Sequence, residues 1–389
     1  MLITNKKIAI VGGGPGGLTL ATLLQKSGAD VKVYERDLNK DVRPPGGALD
    51  LHYDSGLAAL EKAGLLDAFK ANYRPGADKI RIVDSQANIH FDEYELQTSQ
   101  DFGNENFRPE IDRGPLKDIL MASLPPDMVV YDSHVTALEP VGQSWKLEFQ
   151  NGQSATADII IGADGAHSKI RPLITPIKPF WVGLTMLEGV VHHPEKSTPK
   201  ILELLKGGKI FAFGNAKSLI VSSKGDGGMG FGTGCKTDEF WVRDSGIDFN
   251  DNAQVFNWFK QEFSEWDSIW YELFDNDDTQ FIPRPVYCMP LDQTWEPRPN
   301  ITILGDAAHW MPPYSGEGVN MAMLDALELS TCLTNDEFPD IQSAIAAYET
   351  QMRKRASEIA QEALDSTEAL HAPDSLSFML QMFDPESAD

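Results

Sequence analysis

The chain has 389 residues, 42% hydrophobic and 23% charged, ordinary proportions for a globular protein. They exclude a disordered chain, a collagen-like fibre and a disulfide miniprotein, and at about 150 residues per domain the length suits two domains. Thirty-three Lys and Arg face 58 Asp and Glu, a formal charge of −25 that repels phosphate backbones and anionic bilayers, so nucleic acid and membrane are not expected partners.

Residues 7–12 (KIAIVG) form a short apolar run bounded by glycine, which predicts a buried parallel strand. Gly12 to Gly17 predict a turn, Leu18 to Ser27 a helix stopped by Gly28, and residues 31–35 (VKVYE) a second strand, so the chain opens with a strand–turn–helix–strand unit. Residues 54–72 read as helical, 79–91 as strands and 112–124 as a helix that Asp112 could cap. Further strands are predicted at 128–131, 135–138, 145–149 and 157–165. From 176 to 285 the pattern changes to strands, Gly-rich turns and dense aromatics, with one helix near 253–263; GDGGMGFG (225–232) reads as a hairpin turn among them. A buried strand returns at 301–305, followed by helices at 317–333 and 341–370, and then by a mixed, acidic tail expected to be partly mobile.

This pattern predicts an α/β chain. A Rossmann-like domain would occupy 1–175 and 286–335, with an inserted antiparallel sheet domain at 176–285 that also recruits strands near 79–110. A bridging helix would span 341–370 and an acidic tail 371–389. Cys235, Cys288 and Cys332 are distant, odd in number and in no metal-ligand spacing, so they read as inert thiols in a reducing cytoplasm, and no metal site is expected. No run of about 18 apolar residues exists, and the first residues lack a signal-peptide pattern.

Three motifs carry chemistry. In Gly12-x-Gly14-Pro15-x-Gly17 the glycines serve a tight turn, close approach to a pyrophosphate and helix–strand packing. The helix N-terminus behind them offers N–H groups to phosphate. Glu35, ending the second strand, can accept from ribose hydroxyls. The second motif is Gly162-Ala163-Asp164-Gly165, continuing to Arg171. The third is Gly305-Asp306-Ala307-Ala308-His309 with Pro312-Pro313 and Gly316-Glu317-Gly318-Val319-Asn320. There a strand ends in a carboxylate suited to a ribityl hydroxyl, and a helix begins that could hold negative charge on a reduced flavin. His52, His167 and His309 sit in or beside motifs and read as structural. Only one dinucleotide turn is visible, against two-domain disulfide reductases.

In order and spacing these motifs resemble those of the single-component FAD-dependent aromatic hydroxylases, the family of para-hydroxybenzoate hydroxylase, across residues 7–370. GGALDLH (46–52), RPEIDRGPL (108–116) and GDAAHWMPPYSGEGVN (305–320) are similar to the tetracycline-inactivating members of that family. The resemblance implies FAD contacts from Glu35, Arg36, Asp50, Arg113 and Asp306. The motifs add Gly12, Gly14, Pro15, Gly17, Gly47, Asp164, Pro313, Gly316, Gly318, Val319 and Asn320. It implies a substrate pocket with Glu188, Lys209, Phe211, Phe213, Pro313, Tyr314, Gly316 and Leu370. Several of these depart from the tetracycline-inactivating pattern: Glu188 replaces a glutamine, Lys209 an arginine, Phe211 a methionine, Tyr314 a phenylalanine and Leu370 a methionine. Gly230 replaces a histidine.

The same resemblance implies an FAD-dependent, monomeric enzyme consuming O2 and transiently bound NADPH. It would hydroxylate an electron-rich aromatic or enol carbon of a polycyclic substrate through a C4a-hydroperoxyflavin, with tetracycline inactivation as one activity of this kind. The flavin does the chemistry, so no catalytic side chain is assigned. Two alternatives stand beside it: a biosynthetic or catabolic hydroxylase of another polyketide, quinone or phenol, and a non-catalytic flavin-binding redox sensor. The strap Pro44-Pro45-Gly46-Gly47 is a further candidate, for flavin movement.

Overall fold

The computed structural model describes residues 1–40, 42, 47–96 and 101–383. Pro44 to Gly46 of the expected strap, and residues 384–389 of the expected tail, lie outside them.

The chain divides into two compact units, one of residues 1–73, 102–180 and 288–363, the other of 74–101, 181–287 and 364–389. The first is built on a five-stranded parallel sheet in the order Ile301–Ile303, Ile159–Gly162, Lys7–Val11, Asp30–Tyr34, Val129–Val130. Its central strands are continuous apolar runs, because both faces are covered: Ile8, Ile10, Ile160, Ile161 and Ile303 are all buried. The helix Pro15–Lys26 packs on it, and Gly318–Thr334 packs on that helix. A separate meander (Val135–Val141, Ser144–Phe149, Ser154–Ala157) and a short antiparallel pair (Ala48–Asp50 with Glu110–Asp112) complete the strands of this unit.

The second unit is a seven-stranded mixed sheet, in the order Thr279–Cys288, Phe180–Val191, Met229–Lys236, Lys217–Ser223, Lys209–Gly214, Ile80–Asp84, Ile89–Asp92. The pairing of Lys209–Gly214 with Ile80–Asp84 is parallel. One face is closed by a core of Phe231, Phe259, Phe263, Trp266, Trp270 and Phe274. Phe259 and Phe274 stack at 3.8 Å between centroids.

Several elements differ from the sequence reading. Residues 54–72 hold two helices, Gly56–Ala63 and Leu66–Lys70, because Gly64 adopts a left-handed conformation (φ 70°) that ends the first. Asp112 precedes the helix Arg113–Ala122, but its side chain makes no cap hydrogen bond. The Gly-rich segment is a hairpin turn only up to Gly228; from Met229 it is strand. The expected tail contains an element that the sequence reading did not place. Ser375–Phe383 is a helix, because its apolar side chains find cover: Met379 is buried and Phe383 packs on Phe91 and Phe211.

Candidate functional site

The site in the first unit is built at one end of the parallel sheet. Gly12 follows the first strand with φ 110°, and a Cβ there would lie 2.2 Å from the carbonyl oxygen of Ala163. A Cβ on Gly17 would lie 2.2 Å from the oxygen of Gly12. A Cβ on Gly14 would meet nothing within 4 Å. Two glycines are thus required by packing, while the third leaves open space at the N-terminus of Pro15–Lys26, where the helix's free N–H groups emerge.

Glu35 is buried, and its Oε2 accepts the Gly13 N–H at 2.6 Å while Oε1 accepts the Asp37 N–H at 3.0 Å. The carboxylate expected to reach a ribose therefore also fixes the turn. Arg36 beside it is exposed.

Asp164 turns back on its own loop: Oδ2 accepts the Lys169 N–H at 2.6 Å. Its other oxygen is buried and has no hydrogen-bond partner among the described residues. Desolvation raises this carboxyl above the usual range, against the hydrogen bonds from Ser168 and Lys169. Asp306 meets solvent with its side chain yet is walled by protein, and desolvation raises its carboxyl too, opposed by the charges of His309, Arg113 and Arg171. Arg113 is thereby within electrostatic reach of Asp306, at the start of its helix.

Sequence reasoning left Arg171 without a role. It is buried, and it donates from Nε to the Ala307 carbonyl at 2.6 Å and from Nη2 to the Asp306 carbonyl at 2.7 Å. The guanidinium thus joins the second motif to the third. Behind the third motif lies a buried charge cluster. Asp325 Oδ2 accepts the Gly305 N–H at 2.8 Å and meets His309 Nε2 at 2.6 Å, while its Oδ1 pairs with Arg355 at 2.6 Å. Arg355 also reaches Glu328 at 2.5 Å. Burial alone would lower the His309 pKa, but the Asp325 charge and hydrogen bond raise it. The approach of Arg355 and Glu328 from two helices could not be read from local sequence.

Asp50 ends the strand Ala48–Asp50, and a Cβ on Gly316 would stand 3.7 Å from both its carboxylate oxygens. Asn320 is buried. It donates from Nδ2 to the Asp50 carbonyl at 3.0 Å and accepts the His52 N–H at 2.9 Å, tying the start of helix Gly318–Thr334 to that strand. Gly47 and Pro313 are exposed, and Tyr314 and Val319 are half-buried. The residues expected to hold FAD thus cluster by motif in this unit. The open cradle at Gly14 and the orphaned Asp164 oxygen fit a bound dinucleotide.

Of the residues expected to line a substrate pocket, Glu188, Lys209, Phe211 and Phe213 share one sheet face of the second unit. Glu188 lies opposite Gly232, Gly232 opposite Ile220, and Ile220 opposite Phe211, a single cross-strand row. Lys209 and Phe213 are two positions to either side of Phe211 along its strand, and Gly230 shares the face. Phe211 packs on Phe383, while Phe213 and Leu370 are buried. Glu188 pairs with Arg284 at 3.0 Å, a partner the sequence did not suggest. Pro313, Tyr314 and Gly316 belong to the other unit. Among the described residues no helix is long and apolar enough to cross a membrane.

The family described as FAD binding domain matches residues 5–112 and 297–363. The monooxygenase penA of Penicillium thymicola is 27% identical over 90% of this chain and 92% of its own length. The 6-hydroxynicotinate 3-monooxygenase of Pseudomonas fluorescens is 25% identical over 93% of this chain and 91% of its own. Among solved structures, the tetracycline destructase Tet(55) shares the fold, with a TM-score of 0.74, 20% identity and coverage of 95% of this chain and 90% of that one.

Proposed function

We propose that this chain, an FAD-dependent monooxygenase of the single-component aromatic hydroxylases, hydroxylates an electron-rich ring or enol carbon of a small phenolic, heteroaromatic or polyketide substrate. NADPH is the reductant. The observation that carries the reading is the convergence of the Gly12–Gly17 turn, Asp164 and Asp306 at the ends of adjacent parallel strands, the last two joined through Arg171.

Bound FAD supplies the redox chemistry with dioxygen. The chain's own residues bind and orient. The N–H groups after Gly14 receive the pyrophosphate, and Glu35 receives the adenosine ribose. Asp306, with Arg113 beside it, receives the ribityl chain, and the start of Gly318–Thr334 offers N–H groups to the electron-rich edge of the ring system.

Glu188 and Lys209 are the charged candidates for gripping a substrate, and the Glu188–Arg284 pair makes that grip unlike one built on glutamine. This favours a substrate carrying complementary hydroxyl or ionised groups, with tetracyclines as one polycyclic case.

The test is NADPH oxidation by the purified yellow protein, alone and with a panel of phenols, hydroxylated N-heteroaromatics and a tetracycline, while the substrate's absorbance is followed. Substrate-stimulated oxidation coupled to loss of a chromophore supports the reading and identifies the class. Bound flavin without any stimulated oxidation would favour a flavin-binding redox sensor.

A further inference from the structure

His52 is a buried imidazole whose two ring nitrogens both face carboxylates. Nε2 lies 3.2 Å from Asp50 Oδ2, and Nδ1 lies 3.0 Å from Glu317 Oε1. A neutral imidazole carries one N–H, so one nitrogen would point a lone pair at an anion; the imidazolium satisfies both. The residues around it are those already expected at the flavin. Asp50 precedes it on the strand, Gly316 and Glu317 lead into helix Gly318–Thr334, and Asn320 takes its backbone N–H at 2.9 Å. His52 itself is not among the expected cofactor contacts.

We propose that His52 is a positioning residue for the flavin: as a cation it clamps Glu317 to Asp50 and so holds the Gly316–Asn320 segment against the strand Ala48–Asp50. The clamp rests on FAD occupying this site. It joins two segments far apart in the chain through one proton, so binding of the flavin and protonation of His52 are linked.

The charged groups facing His52 among the described residues are Asp50, two positions before it, and Glu317, from the opposing loop; Asn320 Oδ1 accepts the His52 backbone N–H and also the Ser55 hydroxyl, both neutral contacts. Burial alone would lower the imidazole's pKa, but the hydrogen bonds and charges of Asp50 and Glu317 raise it to about 9. Since the folded value lies above the ordinary 6.5, the stabilisation is fully present below pH 6.5 and is lost as pH rises through about 9. Above that, two carboxylates face a neutral ring, and the segment is held to the strand by the Asn320 hydrogen bonds without the clamp.

The test is FAD affinity of the apoprotein between pH 7 and pH 10, by quenching of flavin fluorescence, with circular dichroism to verify folding. The native chain is expected to lose affinity by about tenfold across pH 9. H52Q should bind about tenfold more weakly at pH 7.5 with a flat profile. E317Q should bind well and also flatly, because a glutamine amide can donate to neutral Nδ1 and no proton is then required. The dye-equilibrated midpoint potential of bound flavin at pH 7.5 should fall in H52Q and stay near the native value in E317Q.

A folded H52Q protein with native affinity and native pH profile would overturn the proposal. If H52Q does not fold, E317Q decides, and a native profile in that variant overturns it equally. A native apoprotein that takes up no FAD at any pH would instead overturn the cofactor reading beneath it.

Discussion

Asp325 and His309 meet at 2.6 Å beneath the turn that carries Asp306, and the same carboxylate oxygen accepts the N–H of Gly305 at 2.8 Å. One buried anion therefore sets the shape of the third motif from behind, while Asp306 faces outward from it. Gly305 has φ 60° and leaves the last strand in a direction that few residues could take. The Asp325 hydrogen bond holds it there. Arg355, on helix Ile341–Leu370, supplies the countercharge at 2.6 Å, which gives that helix a part in shaping the cofactor site from its rear.

Replacing Asp325 by Asn keeps the size but leaves His309 without its carboxylate partner and Arg355 with Glu328 alone. Loss of one partner from a buried ionic cluster costs about 3–5 kcal/mol. The D325N protein is expected to unfold at markedly lower urea concentration than the native chain and to be purified with little flavin. A variant retaining full stability would mean that the cluster is hydrated and weak.

Gly12 and Gly14 sit two positions apart and should respond oppositely to alanine. At Gly12 the new Cβ collides with the Ala163 carbonyl, 2.2 Å away, and φ is 110°. Strain of about 1–3 kcal/mol for the backbone adds to the collision, so G12A should lose both stability and flavin. At Gly14 nothing lies within 4 Å and φ is −76°. G14A should therefore fold with an unchanged thermal midpoint yet bind FAD more weakly, because the methyl enters the space proposed for the pyrophosphate. Equal losses of stability in the two variants would contradict this division of roles.

Much of this half of the molecule was legible because its signals are local. The apolar run 7–12, the glycine spacing and Glu35 all lie within one strand–helix–strand unit. The helix over 341–370 announces itself by the stripe Ile341, Ala344, Tyr348 and Met352, and the last three are buried in the structure.

What stayed hidden depends on tertiary meetings. The parallel pairing of Lys209–Gly214 with Ile80–Asp84 joins segments with no sequence link. Arg171, His52 and Arg355 acquire partners only when distant elements come together. The tail is acidic and proline-flanked in composition, which argues against order. Within it, Leu376, Phe378, Met379, Met382 and Phe383 are enough to make a helix once a sheet face stands ready to receive some of them.

Arg171 offers a test of geometry against charge. Its two hydrogen bonds to the Ala307 and Asp306 carbonyls use the fixed fork of the guanidinium. R171K keeps the positive charge near Asp164 and Asp306 but has one nitrogen, on a shorter side chain, in place of the two that reach the carbonyls. A buried acceptor left unmade costs about 1–3 kcal/mol. R171K is expected to lower stability by that amount and to release FAD more readily on dilution, measured by ultrafiltration. Native behaviour would show that charge alone suffices to hold the two motifs together.

Acid stability of the second unit turns on His371, which is fully buried. Its Nδ1 lies 2.7 Å from the Thr367 carbonyl and its Nε2 3.0 Å from the Ser218 hydroxyl. Nδ1 therefore carries the proton, and Nε2 accepts from Ser218, which describes a neutral ring. Burial lowers its pKa to about 4, against the ordinary 6.5. Between these values the unfolded chain binds a proton that the folded chain does not, so stability rises with pH there. The contribution is complete above pH 6.5 and is withdrawn as pH falls towards 4, by about 3 kcal/mol in all. Urea titrations at pH 7.5, 6 and 5 should show this slope in the native protein. H371Q can still donate to Thr367 and accept from Ser218 but does not titrate, so its slope should be shallower. An identical slope in H371Q would mean that carboxylates, and not this imidazole, govern the acid limb.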